Sequence, residues 1–228
     1  MFLSRIFTLY PEYFPGYLNK GLFGKAMNEK IWNLETVNIR DYTFDKHKTV
    51  DDTPYGGGSG MLIKADVLAK SLDENIKEKE KIIYLSPKGK LFDHKYAKEL
   101  STEKTLNLIC GHFEGIDERI IQNRNIEEVS IGDFVLSGGE VATFVVLDAI
   151  LRFIPGVLGN ENSTQDESFE NGLLEYPQYT KPQNWEDKSV PDVLLSGDHA
   201  KIKDWRLSQS EAITRVRRPD LWQKYKKN

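Results

Sequence analysis

Between Ile131 and Glu140 the chain runs IGDFVLSGGE, and the stretch that follows, VATFVVLDAILRFI, carries only Asp148 and Arg152 as charges. A glycine-bearing turn feeding a buried helix is either a plain turn and cap or a main-chain cradle for a small ligand. Neither G-x-G-x-x-G nor G-x-x-x-x-G-K-[ST] occurs anywhere in the chain, so the common nucleotide fingerprints are excluded and an unusual cofactor pocket is the functional reading. Tyr55-Gly-Gly-Gly-Ser-Gly60 is also glycine-rich, but no Lys-Ser or Lys-Thr follows it, which excludes a nucleoside-triphosphate loop. Asp51 and Asp52 before it suit a turn. Arg152, near the end of this nearly uncharged helix, is placed to complement the helix dipole. Asp166 and Glu167, in a polar stretch, are solvated acids by composition. The single cysteine, Cys110, excludes an internal disulfide and reads as a small buried residue at a strand end; the four histidines show no metal-ligand spacing.

These residues need a scaffold, and short apolar runs recur to supply one: RIFTLY, MLIKADVL, KIIYLS, LNLICG and IEEVSI. Runs alternating with helical or glycine-marked stretches predict an α/β domain with a mainly parallel sheet. A helix begun by Asp93 is expected over DHKYAKELS, and a stronger one from Glu140 to Phe153, closed by Pro155. Residues 159–171, GNENSTQDESFEN, hold one large apolar residue and read as a linker. Beyond them GLLEYPQYTKPQNW is expected to be extended. Ser196 or Asp198 can cap a helix reaching Ser208 or further, and Pro219 suits the start of another.

At 228 residues, with 39% hydrophobic and 29% charged residues, the chain has the composition of a globular protein holding one ordinary domain and a small second one. No apolar run reaches the roughly 18 residues of a membrane span, and MFLSRIFTLYPEYF lacks a signal-peptide cleavage pattern, so a cytoplasmic protein with no membrane partner is expected. The net charge of −4 is unevenly spread. From His199 to Asn228 nine Lys or Arg face three acids, a balance of +6 that leaves −10 on the rest. A basic C-terminal module on an acidic body suggests either a grip on a polyanion or a solvated helix face.

The segments TLYPEYF, NIRDYTFDKHKTVDDTPYGGGSGM, IYLSPKG, CGHFEGIDERI, IGDFVLSGGE, RFIPGVLG, GLLEYPQYTKP and LLSGDHAKIKDWR form one ordered set spanning nearly the whole chain. That set resembles the bacterial tRNA (guanine-N1)-methyltransferases, which methylate guanosine at position 37 beside the anticodon. The resemblance implies a SPOUT-type fold, a mainly parallel α/β sheet with a C-terminal trefoil knot, plus a small, mainly helical C-terminal domain. It implies a catalytic domain over 1–158, a linker over 159–171 and a tRNA-binding domain over 172–228. It also implies S-adenosylmethionine bound by three loops: Tyr84, Leu85, Ser86 and Pro87; Gly111, Glu114 and Gly115; and Ile131, Gly132, Asp133, Phe134, Val135, Leu136, Ser137, Gly138 and Gly139. Arg152 matches the family arginine that acts on the target guanine. The family base is an aspartate, and ungapped counting back from SFENGLLEYPQYT places Glu167 there with Asp166 adjacent. The resemblance further implies a homodimer with active sites shared between chains, tRNA as partner, and magnesium used during catalysis, for which no site is derived. A SPOUT methyltransferase acting on another nucleotide and a noncatalytic RNA-binding protein are the rival readings.

Overall fold

The computed structural model describes residues 1–159 and 167–227, which divide into two compact units, Met1–Glu161 and Asn162–Asn228. In the first, strands β1 (Phe2–Thr8), β2 (Trp32–Asn38), β3 (Asp51–Asp52), β4 (Leu62–Ile63), β5 (Lys81–Leu91), β6 (Thr105–Ile109) and β7 (Glu127–Ser130) alternate with helices α1 (Gly21–Asn28), α2 (Ala65–Asn75), α3 (His94–Leu100), α4 (Glu118–Asn123) and α5 (Gly139–Leu151). Five strands form one sheet in the order β2-β1-β6-β5-β7, and every pairing is parallel. β3 and β4 make a separate antiparallel pair.

A parallel sheet is covered on both faces, so its inner strands must be apolar on both sides. Alternation along each strand sends Ile6, Ile83 and Leu108 to one face and Phe7, Tyr84 and Ile109 to the other. On the first face they pack with Ala142, Val146, Leu147, Ile150 and Leu151 of α5 and with Tyr96, Ala97 and Leu100 of α3. On the second they pack with Val67, Leu68 and Leu72 of α2 and with Ile120 of α4.

Two of the sequence assignments change. MLIKADVL contributes only the two-residue β4, because Ala65 opens α2 with Asp66 in its first turn and Val67, Leu68, Ser71 and Leu72 buried at helical spacing. The sheet strand lacking from the apolar runs is β2, an edge strand in which Trp32 and Val37 are buried while Glu35 and Thr36 are exposed. Elsewhere the cap at Asp93 falls where expected. Asp93 accepts from Tyr96 N–H at 2.8 Å to start α3, and Asp117 accepts from Arg119 N–H at 2.9 Å to start α4.

β5 carries the irregularity that matters most. Val129 of β7 is opposite both Leu85 and Lys90, so the residues between them, Ser86-Pro87-Lys88-Gly89, loop out of the ladder before pairing resumes. A Cβ on Gly89 would collide with the main chain of Glu128 and Val129, so only glycine closes this loop.

The second unit contains a short hairpin of β8 (Asn184–Trp185) and β9 (Lys188–Ser189), then helices α6 (Asp192–Leu195), α7 (His199–Arg217) and α8 (Pro219–Tyr225). Asp198 caps α7 by accepting from Lys201 N–H at 3.2 Å, and Pro219 occupies the first turn of α8. Leu173 to Gln183 has no regular secondary structure. Leu174 N–H donates to Thr214 Oγ1 at 2.8 Å, and that hydroxyl donates to Ser210 O at 2.6 Å, which fixes the start of the segment to α7.

Candidate active site

The carboxyl ends of β5, β6 and β7 open into one cavity of about 260 Å³. In parallel α/β sheets this is where ligands bind. Three loops build it: the excursion after Tyr84, the turn after Cys110 and the segment from Ile131 to Gly139. Of the residues expected there, Tyr84, Leu85, Ser86, Pro87, Gly111, Glu114, Gly115, Ile131, Gly132, Phe134, Val135, Leu136, Ser137, Gly138 and Gly139 all line it, and Asp133, exposed, does not. Lys88, His112, Phe113, Glu118, Glu128 and Ala142 line it as well.

Close main-chain approach explains the glycines. Gly139 donates its N–H to Gly111 O at 3.0 Å, and a Cβ on it would stand 2.6 Å from Cys110 Cα, a contact with backbone that cannot move aside. A Cβ on Gly111 would stand 2.7 Å from the Tyr84 ring, and Gly115 holds φ +114°, open to glycine alone. Tyr84 is thereby a wall held from two sides. Burial, reinforced by the charge of Glu128, pushes its phenol up to about 12, so it stays neutral. A Cβ on Gly60 would strike the Glu114 side chain, and Glu114 N–H donates to Met61 O at 2.9 Å, so the glycine-rich 56–60 loop ends against the rim of the cavity.

A polar network behind the cavity escaped the sequence reading. Glu140, 4% exposed in the first turn of α5, accepts from Thr8 Oγ1 at 2.6 Å and from His112 Nε2 at 2.8 Å. Those bonds tie the end of β1, the Cys110–Gly115 turn and the head of α5 together. Its signal in the sequence is the acid at the head of an otherwise apolar helix, where it also complements the dipole. Cys110 is fully buried against Thr143 Oγ1 at 3.2 Å, and burial raises its thiol far above the usual range, so it is a packing residue and no nucleophile.

The remaining candidates lie elsewhere. Arg152 is the C-cap of α5, and thirteen helical residues at about 1.5 Å each set it roughly 20 Å from Gly139. That separation is beyond the reach of one arginine side chain. Glu167 belongs to the second unit and lines a cavity there with residues of α7. Asp166 lies outside the described residues. Asp51 and Asp52 form β3. No group of three His, Cys, Asp or Glu among the described residues is placed to hold a metal ion, and no helix there is long and apolar enough to cross a membrane.

The cavity can hold a small ligand largely through main chain, with Glu114, Glu118 and Glu128 outnumbering Lys88 around it and so favouring positive charge. Comparison with known proteins gives this arrangement a family. Residues 2–224 match the family described as tRNA (Guanine-1)-methyltransferase TrmD. The chain is 75% identical over 228 residues to a tRNA (guanine-N(1)-)-methyltransferase of Pelagibacter ubique, covering all of both chains. It is 55% identical to the protein of that name from Bartonella tribocorum, covering 100% of this chain and 97% of that one, and 52% identical to the one from Brucella canis, covering 100% and 93%. With a match along nearly its whole length and a cavity formed by the loops its motifs occupy, the chain belongs to the tRNA (guanine-1)-methyltransferase TrmD family.

Proposed function

We infer that the protein transfers a methyl group from S-adenosylmethionine to N1 of a guanosine in tRNA, and that the guanosine is position 37, beside the anticodon. Full-length identity of 75% to a protein named tRNA (guanine-N(1)-)-methyltransferase carries the reading. The cavity fits the cofactor: its walls are glycine and main chain where a ligand must come close, and its ring of acids suits a sulfonium cation. Bound there, S-adenosylmethionine supplies an electrophilic methyl group. The chain's own residues position the partners and move the proton. Glu167 takes the N1 proton of guanine, and Arg152 donates to O6 as negative charge gathers on N1 and O6.

In this reading the protein is a homodimer, with one chain's cavity completed by the other's residues. The span of α5 supports it, because Arg152 cannot reach the cavity of its own chain. Exposed Val141 and Val145 on α5, beside exposed Phe134, Val135 and Leu136, give the first unit an apolar surface suited to a second copy. The family's trefoil knot is carried over to the C-terminal part of the sheet domain. The unit up to residue 158 is assigned to cofactor binding, 159–171 to the linker, and the C-terminal unit to tRNA, in the cytoplasm. Magnesium is given no step, because the described residues hold no fitting cluster of ligands.

Incubation with radiolabelled S-adenosylmethionine and unmodified tRNA, followed by mapping of the modified base, tests the whole reading. Label at N1 of guanosine 37 is expected. Label at another nucleotide, or tRNA binding without label, would replace it by one of the rival readings.

A further inference from the structure

We propose that His112 is a positioning residue for the cofactor: by binding Glu140 through Nε2 and lying against Gly138, it sets how two of the main-chain loops around the cavity face each other. The inference rests on the methyltransferase reading and adds to it the side chain that fixes the shape of the binding site.

The loop from Asp133 to Ser137 is exposed throughout, so packing does not hold it and its shape is set at its two ends. At the first end Ser130 Oγ donates to Gly132 O at 3.1 Å. At the second, Gly138 forms an antiparallel bridge with His112, and Gly139 N–H donates to Gly111 O. The His112 ring covers this bridge. A Cβ on Gly138 would collide with the imidazole and with Glu140 Oε2, so ring, carboxylate and main chain meet at one point. Nε2 stands 2.9 Å from Oε1 and 2.8 Å from Oε2 of Glu140, and the carboxylate, as acceptor, fixes a hydrogen on that nitrogen.

Behind the pair stands the sheet. Glu140 Oε1 also accepts from Thr8 Oγ1 at 2.6 Å, and Thr8, fully buried at the end of β1, accepts from Tyr10 N–H at 2.9 Å. The Tyr10 ring meets the imidazole edge-on, with centroids 4.9 Å apart. His112 is thus anchored to the end of β1, while its own side chain lines the cavity and is 14% exposed. Among the described residues His112 is the sole ion-pair partner of Glu140, so removing the imidazole strands a buried carboxylate. Main chain that grips a ligand needs such a locked support, because a loop free to shift by about 1 Å loses its contacts. Nδ1 has no hydrogen-bond partner among the described residues, which leaves Nε2 as the atom through which His112 acts.

The test titrates the full-length protein with S-adenosylmethionine in a calorimeter, beside thermal melting and anisotropy with a fluorescently labelled anticodon stem-loop RNA. A glutamine amide reaches the place of Nε2 and an asparagine amide only that of Nδ1, so the two variants separate the ring's two nitrogens. His112→Asn should weaken cofactor binding about tenfold, as loss of a hydrogen bond to a charged acceptor does, and His112→Gln should stay within about threefold of wild type. RNA affinity should stay within about twofold for both. Should His112→Asn melt too early to titrate, the double variant His112→Phe with Glu140→Met replaces both partners by apolar groups. It should regain most of the melting temperature while cofactor binding stays about tenfold weak. Wild-type affinity in His112→Asn would overturn the proposal. So would tight binding by His112→Asn beside weak binding by His112→Gln, which would put Nδ1 on the ligand. Recovery of melting temperature and cofactor affinity together in the double variant would overturn it too, since the pair would then be a brace of the fold alone. Cofactor binding that depends on His112 in the expected way, in a protein that transfers no methyl group to tRNA, would support the positioning role and overturn the enzymatic reading instead.

Discussion

Glu167 has one methylene more than the aspartate of the family pattern, which moves its carboxylate by about 1.5 Å. Its assignment as base therefore carries a sharp expectation. Glu167→Gln should slow single-turnover methyl transfer by about 100-fold or more while tRNA and cofactor affinities stay within about twofold. Asp166→Asn should be mild, and the reverse pattern would transfer the role to Asp166. Tyr84 offers a test by pH. Its folded phenol is raised to about 12 from an ordinary 10, by burial first and Glu128 second. Between those values the unfolded chain loses a proton that the folded one keeps, so stability falls as pH rises from about 10 towards 12. Tyr84→Phe should flatten that part of a melting-temperature profile, and an unchanged slope would show that other groups cause it. Residue identities were the most legible level of this molecule. The loops that line the cavity could be named from the family motifs they carry, whereas the bonds of Glu140 to Thr8 and His112 could not, because they join three segments that only the fold brings together.

At the scale of elements, legibility followed burial. The inner strands β1, β5 and β6 announce themselves as apolar runs, as does β7 at one edge, but β2 at the other edge keeps only Trp32 and Val37 inside and looks like polar chain. The looping of Ser86–Gly89 out of β5 was equally hidden, since it depends on where Val129 pairs. The loops differ in what they tolerate. A methyl group on Gly139 meets the backbone at Cys110, whereas one on Gly111 meets a side chain, Tyr84. Gly139→Ala should therefore lower the melting temperature and cofactor affinity together, and Gly111→Ala should lower affinity with the smaller loss of stability. Calorimetric titration beside thermal melting separates the two, and equal stability losses would remove the distinction.

For the whole molecule, the length of α5 turns the proposed dimer into a complementation problem. Gly111→Val should drive the Tyr84 ring into its own cavity, and Arg152→Ala should disable the arm offered to the partner. Each homodimer should be nearly inactive. A heterodimer isolated through two purification tags contains one intact cavity facing one intact arginine, so it should recover roughly half of the wild-type rate. No recovery would place both groups within a single chain.

The sheet order also has a meaning in time. β1 is translated first, yet its inner neighbour is β6, with Phe7 opposite Ile109. At about 5–20 residues per second, a ribosome needs on the order of 5–20 s to make the chain between them. Throughout that interval one edge of β1 has no strand to meet it, and the apolar side chains of β1 lack half their cover. The growing protein is thus most vulnerable to wrong pairing before β6 emerges, and every loop that encloses the cavity apart from the first is made only afterwards.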